Sequence, residues 1–341
     1  MRGFPESMIR TTKKPKFWEN AKDLLHVTPA NKIEDKVFGN LQKDIDAKLK
    51  EGLGQIEGAN HEEPGPLAVG KQTPTSTLSF VKFSTPGPLL TLYEKQRQLA
   101  KRKQGSPLVI ATDVVVKKFL TDPDNDNTVN VLQTSRGDLC FPNGNTNIIL
   151  ATGAVPATTI LLNSLESMQT RAGKRLTGHF LSHVTARFPI DKKRFPKDSL
   201  ADQLEIAASY LAGLDKSTNM QYHVQITAIH SPHPEYDAVD AARECPDYAA
   251  AATEAQLKGS EDYIVLGEGG SFDVDYAAHF VVVCATLGEL SETNPNSWVK
   301  RNPQDTDITT NVTLQVTLDA KDESLWKVMD NATYAPRFAL T

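Results

Sequence analysis

Apolar residues recur every four positions between 36 and 53, where Val37, Leu41, Ile45, Leu49 and Leu53 fall on one side of a helix. Phe17, Ala21, Leu24 and Leu25 give a shorter helix before it. Residues 59–76, ANHEEPGPLAVGKQTPTS, are rich in Pro and Gly and predict a loop. TLSFVKF (77–83) then alternates and reads as a strand. TPGPLLTLYEKQRQLAKRKQG (85–105) opens on Pro and closes on Gly, the start and stop signals of a helix.

A compact run of strands follows: SPLVIATD (106–113), VVVKKFL (114–120), TVNVLQTS (128–135) and LCFPN (139–143), with Asn143-Gly144 as a turn signal. TNIILATGA (146–154) is an apolar strand that runs into Gly153, and VPATTILLNSLES (155–167) is helical. Beyond residue 184 the pattern changes to long alternating strands, MQYHVQITAIH (220–230), HFVVVCATLGEL (279–290) and NVTLQVTLDA (311–320). Helical stretches separate them: PEYDAVDAARECPDYAAAATEAQLKG (234–259) and KDESLWKVMDNATY (321–334). Long strands with helices set apart predict an α+β fold, with a large, mostly antiparallel sheet flanked by helices. Four segments are expected: a helical and loop segment 1–76, a strand and helix 77–106, a strand-rich piece 107–183 and the large sheet 184–341.

Composition narrows the function classes. The 341 residues suffice for one large or two ordinary domains. A formal net charge of −5, and no Lys/Arg block beyond KKPK (Lys13 to Lys16) and KRK (Lys101 to Lys103), argue against nucleic acid as a partner. Cys140, Cys245 and Cys284 are far apart and odd in number, which fits a reducing, cytoplasmic setting and no zinc site. The N-terminal residues have no apolar signal core, and no stretch has the length of a membrane span, so no membrane association is expected. The sequons at Asn311 and Asn331 are expected to be unused.

The stretch richest in chemistry is Asn145 to Ser164, NTNIILATGAVPATTILLNS. Glycine at a strand–helix elbow lets backbone approach a ligand, and the helix beyond offers N–H groups and a positive dipole end to an anion. An ordinary tight strand–helix junction would read the same way. The stretch resembles the second signature of the glucose–methanol–choline flavin oxidoreductases, a strand followed by Ala-Gly-Ala, Ser-Pro and paired aliphatics. Gly153, Ala154, Leu161 and Leu162 match; Ala157-Thr158 stands where Ser-Pro is usual, and Leu165-Glu166 where Ser-Gly is usual. GSPLVIATDVVVKKFLTD is similar to the strand pair before that signature, GKRLTGHFLSHVTARFPI to the connection after it through Gly178 and His183, and the Pro295–Ser297 turn to a late substrate-domain segment. The N-terminal third is similar to the branch related to fungal pyranose oxidases.

The resemblance implies a partial FAD-binding domain followed by a substrate domain, hence an α/β-derived fold, with FAD as cofactor, either retained or lost. It implies cofactor contacts at Val116, Ala151, Thr152, Gly153 and Ala154, and a small alcohol or sugar-like substrate oxidised by hydride transfer. Two family features have no counterpart here. GLGQIEG (Gly52 to Gly58) is GxGxxxG after a Lys/Glu-rich helix and reads as a helix end, and GEGG (267–270) has the wrong spacing. No catalytic His follows the last strand, so no catalytic residue is assigned and the activity of this chain is expected to be weak or absent. A flavin-free binding protein, or a non-redox cyclase or isomerase reusing the substrate cavity, is the alternative. The spacing leaves oligomeric state undetermined.

Other candidates read as structural. His179 and His183, four apart, would need a third ligand to hold a metal. His223 and His279 sit in predicted strands, and His230, His233 and Glu235 in a predicted surface loop. Asp122, Asp124 and Asp126 lack the Gly and terminal Glu of a calcium loop and read as a hairpin tip, and Asp273 and Asp275 carry no ligand pattern.

Overall fold

The computed structural model describes residues 5–33, 37–70, 81–122, 125–141, 146–190, 203–244 and 279–336. The fold is mixed α+β and divides into two compact units. Unit 1 takes residues 1–85, 179–289 and 321–341; unit 2 takes 86–178 and 290–320.

Unit 1 is built on a five-stranded antiparallel sheet in the order β2-β9-β10-β11-β8, from β2 (Ala59–Pro64), β8 (His179–Pro189), β9 (Glu205–Asp215), β10 (Met220–His230) and β11 (His279–Glu289). Helices α3 (Asn40–Gly52) and α7 (Ala320–Tyr334) flank one face. The four-residue repeat of α3 lays Leu41, Ile45 and Leu49 on Ala207, Leu211 and Val224, while α7 adds Leu325, Met329 and Ala332. Glu205 accepts a hydrogen bond from the Leu41 backbone N–H (2.8 Å), a long-range cap for a helix whose N-cap, Gly39, has no side chain. One end of the opposite face is closed by a second cluster that includes Phe38, Leu67, Ile206, Ile229, Ala241 and Val281. That cluster draws on β3 (Pro66–Gly70), paired with β1 (Val27–Pro29) and β4 (Val81–Lys82), and on α6 (Pro234–Glu244). Helices α1 (Glu6–Thr12) and α2 (Phe17–Leu25) precede β1.

Unit 2 holds α4 (Pro86–Lys101), the meander β5 (Val116–Asp122), β6 (Asn125–Thr134) and β7 (Gly137–Cys140), helix α5 (Ala154–Ser164), and the hairpin β12 (Trp298–Arg301) with β13 (Val312–Gln315). Helix α5 packs on β5, and the Ser164 hydroxyl accepts the Phe119 N–H (2.8 Å). Ser297, fully buried, joins the Pro295–Ser297 turn to the chain beyond β13: its hydroxyl donates to Thr317 C=O (3.0 Å) and accepts from Thr317 N–H (3.1 Å).

Several expectations change. The predicted loop 59–76 contains β2 and β3, separated by Gly65. Pro64 and Pro66 are tolerated because one ends an edge strand and the other opens a strand, where a missing N–H breaks no central ladder. The predicted strands 106–113 and 146–154 form no ladder: 106–113 and 146–153 have no strand assignment, and Ala154 opens α5. The strand expected over 311–320 is ordered into a ladder only at 312–315. His230, expected on a surface loop, closes β10 and is 3% exposed. Residues 71–80, which include 77–80 of the predicted strand 77–83, lie outside the described residues, as do Asp124, the Asn143-Gly144 turn, Cys245, the predicted helix beyond 244, GEGG, Asp273 and Asp275.

Candidate functional site

Gly153 is the N-cap of α5, with φ 89° and ψ 163° and no side-chain cap. That backbone conformation is essentially confined to glycine. Among the described residues, a Cβ built there would meet only Pro156 Cδ, at 3.9 Å. Neighbour crowding is therefore not what demands glycine here; the backbone conformation is. The Gly153 C=O accepts the Ala157 N–H (3.0 Å), so the helix starts in register behind the elbow. Ala154 and Val155 carry the first helical N–H groups, and Pro156, the third residue, contributes none. Ala151, Thr152, Gly153 and Ala154 are all exposed. The elbow thus presents two backbone donors and a helix dipole to solvent, an arrangement suited to one anionic group of a ligand.

Val116 opens β5, an edge strand of its sheet, and is half-buried. The preceding Val115 C=O accepts the Ser135 N–H (2.8 Å). By the alternation of an antiparallel ladder, Val116 then turns its own N–H and C=O to the unpaired side. The structure thus leaves backbone groups available at both Val116 and the elbow of the same unit.

Unit 1 carries a second constellation that sequence spacing did not reveal. Strand register places His61, Ala212, His223, Leu287 and Leu181 in one cross-strand row, and Glu63, Tyr210, Gln225, Ala285 and His183 in the next. Directly paired residues share a face. Both rows therefore lie on the face opposite α3 and α7, beyond the part closed by the second core cluster. Leu181 is 50% exposed there, and Tyr210, His223 and Gln225 are half-buried. The Tyr210 and His223 rings meet edge-on, with centroids 4.6 Å apart. His61 Nε2 lies 3.5 Å from Glu63 Oε2. Burial lowers the proton affinity of His223, Glu63 opposes that shift, and His179 adds to it. A neutral imidazole of this kind accepts a hydrogen bond from a hydroxyl group.

His179 and His183 stand four residues apart on β8, a spacing of roughly 13 Å along a strand, too far to share a metal ion. Among the described residues no group of three His, Cys, Asp or Glu side chains could hold a metal. GLGQIEG is the end of α3 followed by a 3-10 turn, Leu53–Gln55. It lines a small cleft of ≈ 330 Å³ with Leu214 and Lys216. The Glu57 carboxylate at that cleft accepts a hydrogen bond from Asn331 (2.7 Å). Cys284 is buried on β11 and its thiol is pushed up to about 12, which leaves it inert as a nucleophile, while Cys140 is exposed. Among the described residues no helix is long and apolar enough to cross a membrane.

No protein-family model matches the chain. No curated protein matches it either. The sequon residue Asn311 is 1% exposed and exchanges amide hydrogen bonds with Asn163 (2.7 and 3.0 Å), so the folded chain does not offer it to a glycosylating enzyme.

Proposed function

We propose that the chain is a flavin oxidoreductase of glucose–methanol–choline type by descent, related to enzymes that oxidise alcohols or sugars by hydride transfer to FAD. The observation that carries the reading is Gly153: a conformation essentially confined to glycine, at the uncapped head of an 11-residue helix, with nothing among the described residues crowding it. The conformation alone accounts for the glycine, and the absence of a side chain leaves the elbow backbone open to close approach by a ligand. Ala154 and Val155 would hold an anionic part of the cofactor through their N–H groups, and Val116 would meet its adenine end through backbone. When bound, the flavin supplies the redox chemistry. Separately, Tyr210, His223 and Gln225 on the sheet face of unit 1 offer hydrogen-bonding groups to a small hydroxylated substrate.

The test is a titration of the purified chain with FAD, followed by quenching of flavin fluorescence, with ADP as competitor. Saturable binding that ADP weakens and Gly153→Val abolishes supports the reading. A well-folded protein that binds neither FAD nor ADP overturns it. It would then favour a flavin-free protein that binds small polar molecules on the sheet face.

A further inference from the structure

Helix α4 (Pro86–Lys101) is 16 residues long and buries none of them. Leu89, Leu90 and Leu92 are 41%, 57% and 46% exposed. A helix of this length gains little stability in water without a packed face. At about 3.6 residues per turn, Leu89, Leu92, Tyr93, Gln96, Leu99 and Ala100 fall in one stripe about 120° wide. Basic residues border that stripe on both sides. Lys95 and the next residue past the helix, Arg102, follow one edge; Arg97 and Lys101 follow the other, with Leu90 between them. Thr91, Glu94 and Gln98 lie on the far side. Glu94 is the one acid between positions 86 and 105, and its pair with Arg97 is long, at 3.5 Å, and open to solvent. Among the described residues Lys95, Lys101, Arg102 and Lys103 form no ion pair. The negative end of the helix dipole accounts for cations in and after the last turn. It does not account for Lys95 and Arg97, nor for basic residues on both borders of the apolar stripe.

We propose that α4 docks on an anionic phospholipid surface, lying in the plane of the bilayer with its leucine stripe sunk into the interface and its bordering cations on lipid phosphates. The charge pattern selects this occupant. Lys and Arg stems run along apolar surface while their heads stay at the polar boundary. Cations on both borders therefore fit a half-sunk helix, which has headgroup phosphate along each side. A protein groove would have to supply an acidic rim on each side, and neutral lipid offers the cations no net counter-charge. The formal net charge of the chain is −5, so the attraction belongs to this segment and not to the protein as a whole. The expectation of no membrane association rests on span length and on a signal core, and neither bears on a helix that lies on the surface. Docking of this kind is independent of any flavin being bound.

The experiment is flotation of the full chain with vesicles of phosphatidylcholine alone and of phosphatidylcholine mixed with phosphatidylserine, at low ionic strength and at about 0.5 M salt. The chain should float with the mixed vesicles only, and the added salt should release most of it. Lys95→Gln with Lys101→Gln should lower the partition coefficient about 25-fold, roughly fivefold for each charge. Leu89→Gln with Leu92→Gln should lower it at least tenfold. All four side chains are exposed, so far-UV circular dichroism and the urea midpoint should stay those of the parent chain. Lys13→Gln with Lys14→Gln, in the other basic run, should leave partitioning unchanged. A folded parent chain that does not float with the mixed vesicles overturns the proposal. So does flotation that the Leu89 and Leu92 changes leave undiminished. Self-association that those same two changes abolish, without vesicle binding, overturns it in favour of a second copy of the chain.

Discussion

Val224 and Ile226 on β10 are fully buried, whereas Ile149 is 87% and Val109 79% exposed in unit 2. All four lie in apolar stretches that predict strands equally well. The difference lies in their neighbours: β10 has a paired strand on each side and helices over one face, while 106–112 and 146–151 join no ladder. An apolar run becomes a strand only when another backbone satisfies its N–H and C=O groups. Helix α4 repeats the lesson, with no buried residue and with Leu89, Leu90 and Leu92 each more than 40% exposed. Apolar exposure on this scale marks an interaction surface or an aggregation liability.

The sharpest contrast comes from truncating side chains. Leu325 is fully buried under the large sheet, and Leu325→Ala should cost about 4 kcal/mol by urea denaturation, since a cavity there cannot collapse against paired strands. Ile149→Ser in unit 2 should change stability by less than about 0.5 kcal/mol and reduce self-association in light scattering. Equal costs at the two sites would erase the distinction between the units.

Backbone approach gives the next largest effect. A Cβ at Gly213 on β9 would sit 2.1 Å from Cζ of Tyr222, whose ring lies across the glycine and whose hydroxyl donates to the Glu57 C=O (2.5 Å). Gly213→Ala should therefore cost about 3 kcal/mol, through a displaced ring and a lost hydrogen bond. A thermal melt that matches wild type would show that the ring can move aside at no cost.

Asp215, at the turn between β9 and β10, tests electrostatics in unit 1. Its burial alone would raise its pKa, yet hydrogen bonds from the Thr218 hydroxyl, the Ser217 N–H and hydroxyl and the Ser324 hydroxyl outweigh burial and hold it down at about 2. A folded value below the unfolded one gives stability that is present above the ordinary carboxylate range and lost as pH falls through about 2. Asp215→Asn should lose about 2 kcal/mol at neutral pH, with the gap closing progressively in acid. A gap that persists unchanged at pH 2 would mean that the turn does not use the charge.

Much of unit 1 was legible in the residues. The alternation of 220–230, the four-residue repeat of α3 and the helix of α7 each follow from a single-face pattern that tertiary packing reinforces. Strand β9 was not, because EIAASYLAGLD is buried at most positions on both faces and its small residues give no period of two. The His61–His223 row could not be read either: its members lie 162 positions apart in sequence and meet only through the β2-β9-β10 register. In unit 2 the Gly153 elbow was visible as a strand-to-helix motif, but the absence of a ladder before it was not, since pairing partners are not written into a local apolar run.

Gly153 supplies a small change in stability and the one most informative about function. Alanine there meets no atom of the described residues closer than Pro156 Cδ at 3.9 Å, so the penalty is conformational, about 1 kcal/mol. Gly213 is the converse case, a strand glycine whose replacement is opposed by a neighbouring ring. If the elbow is only a chain reversal, Gly153→Ala should lower the melting temperature by a few degrees and leave ligand binding untouched. If its amides hold an anionic cofactor group, the same methyl shifts the Ala154 and Val155 N–H groups as the backbone relaxes toward an ordinary conformation. FAD affinity should then fall at least tenfold for that small loss of stability. Affinity that falls only in step with stability would return the elbow to a structural role and leave the sheet face of unit 1 as the remaining place to look for a ligand.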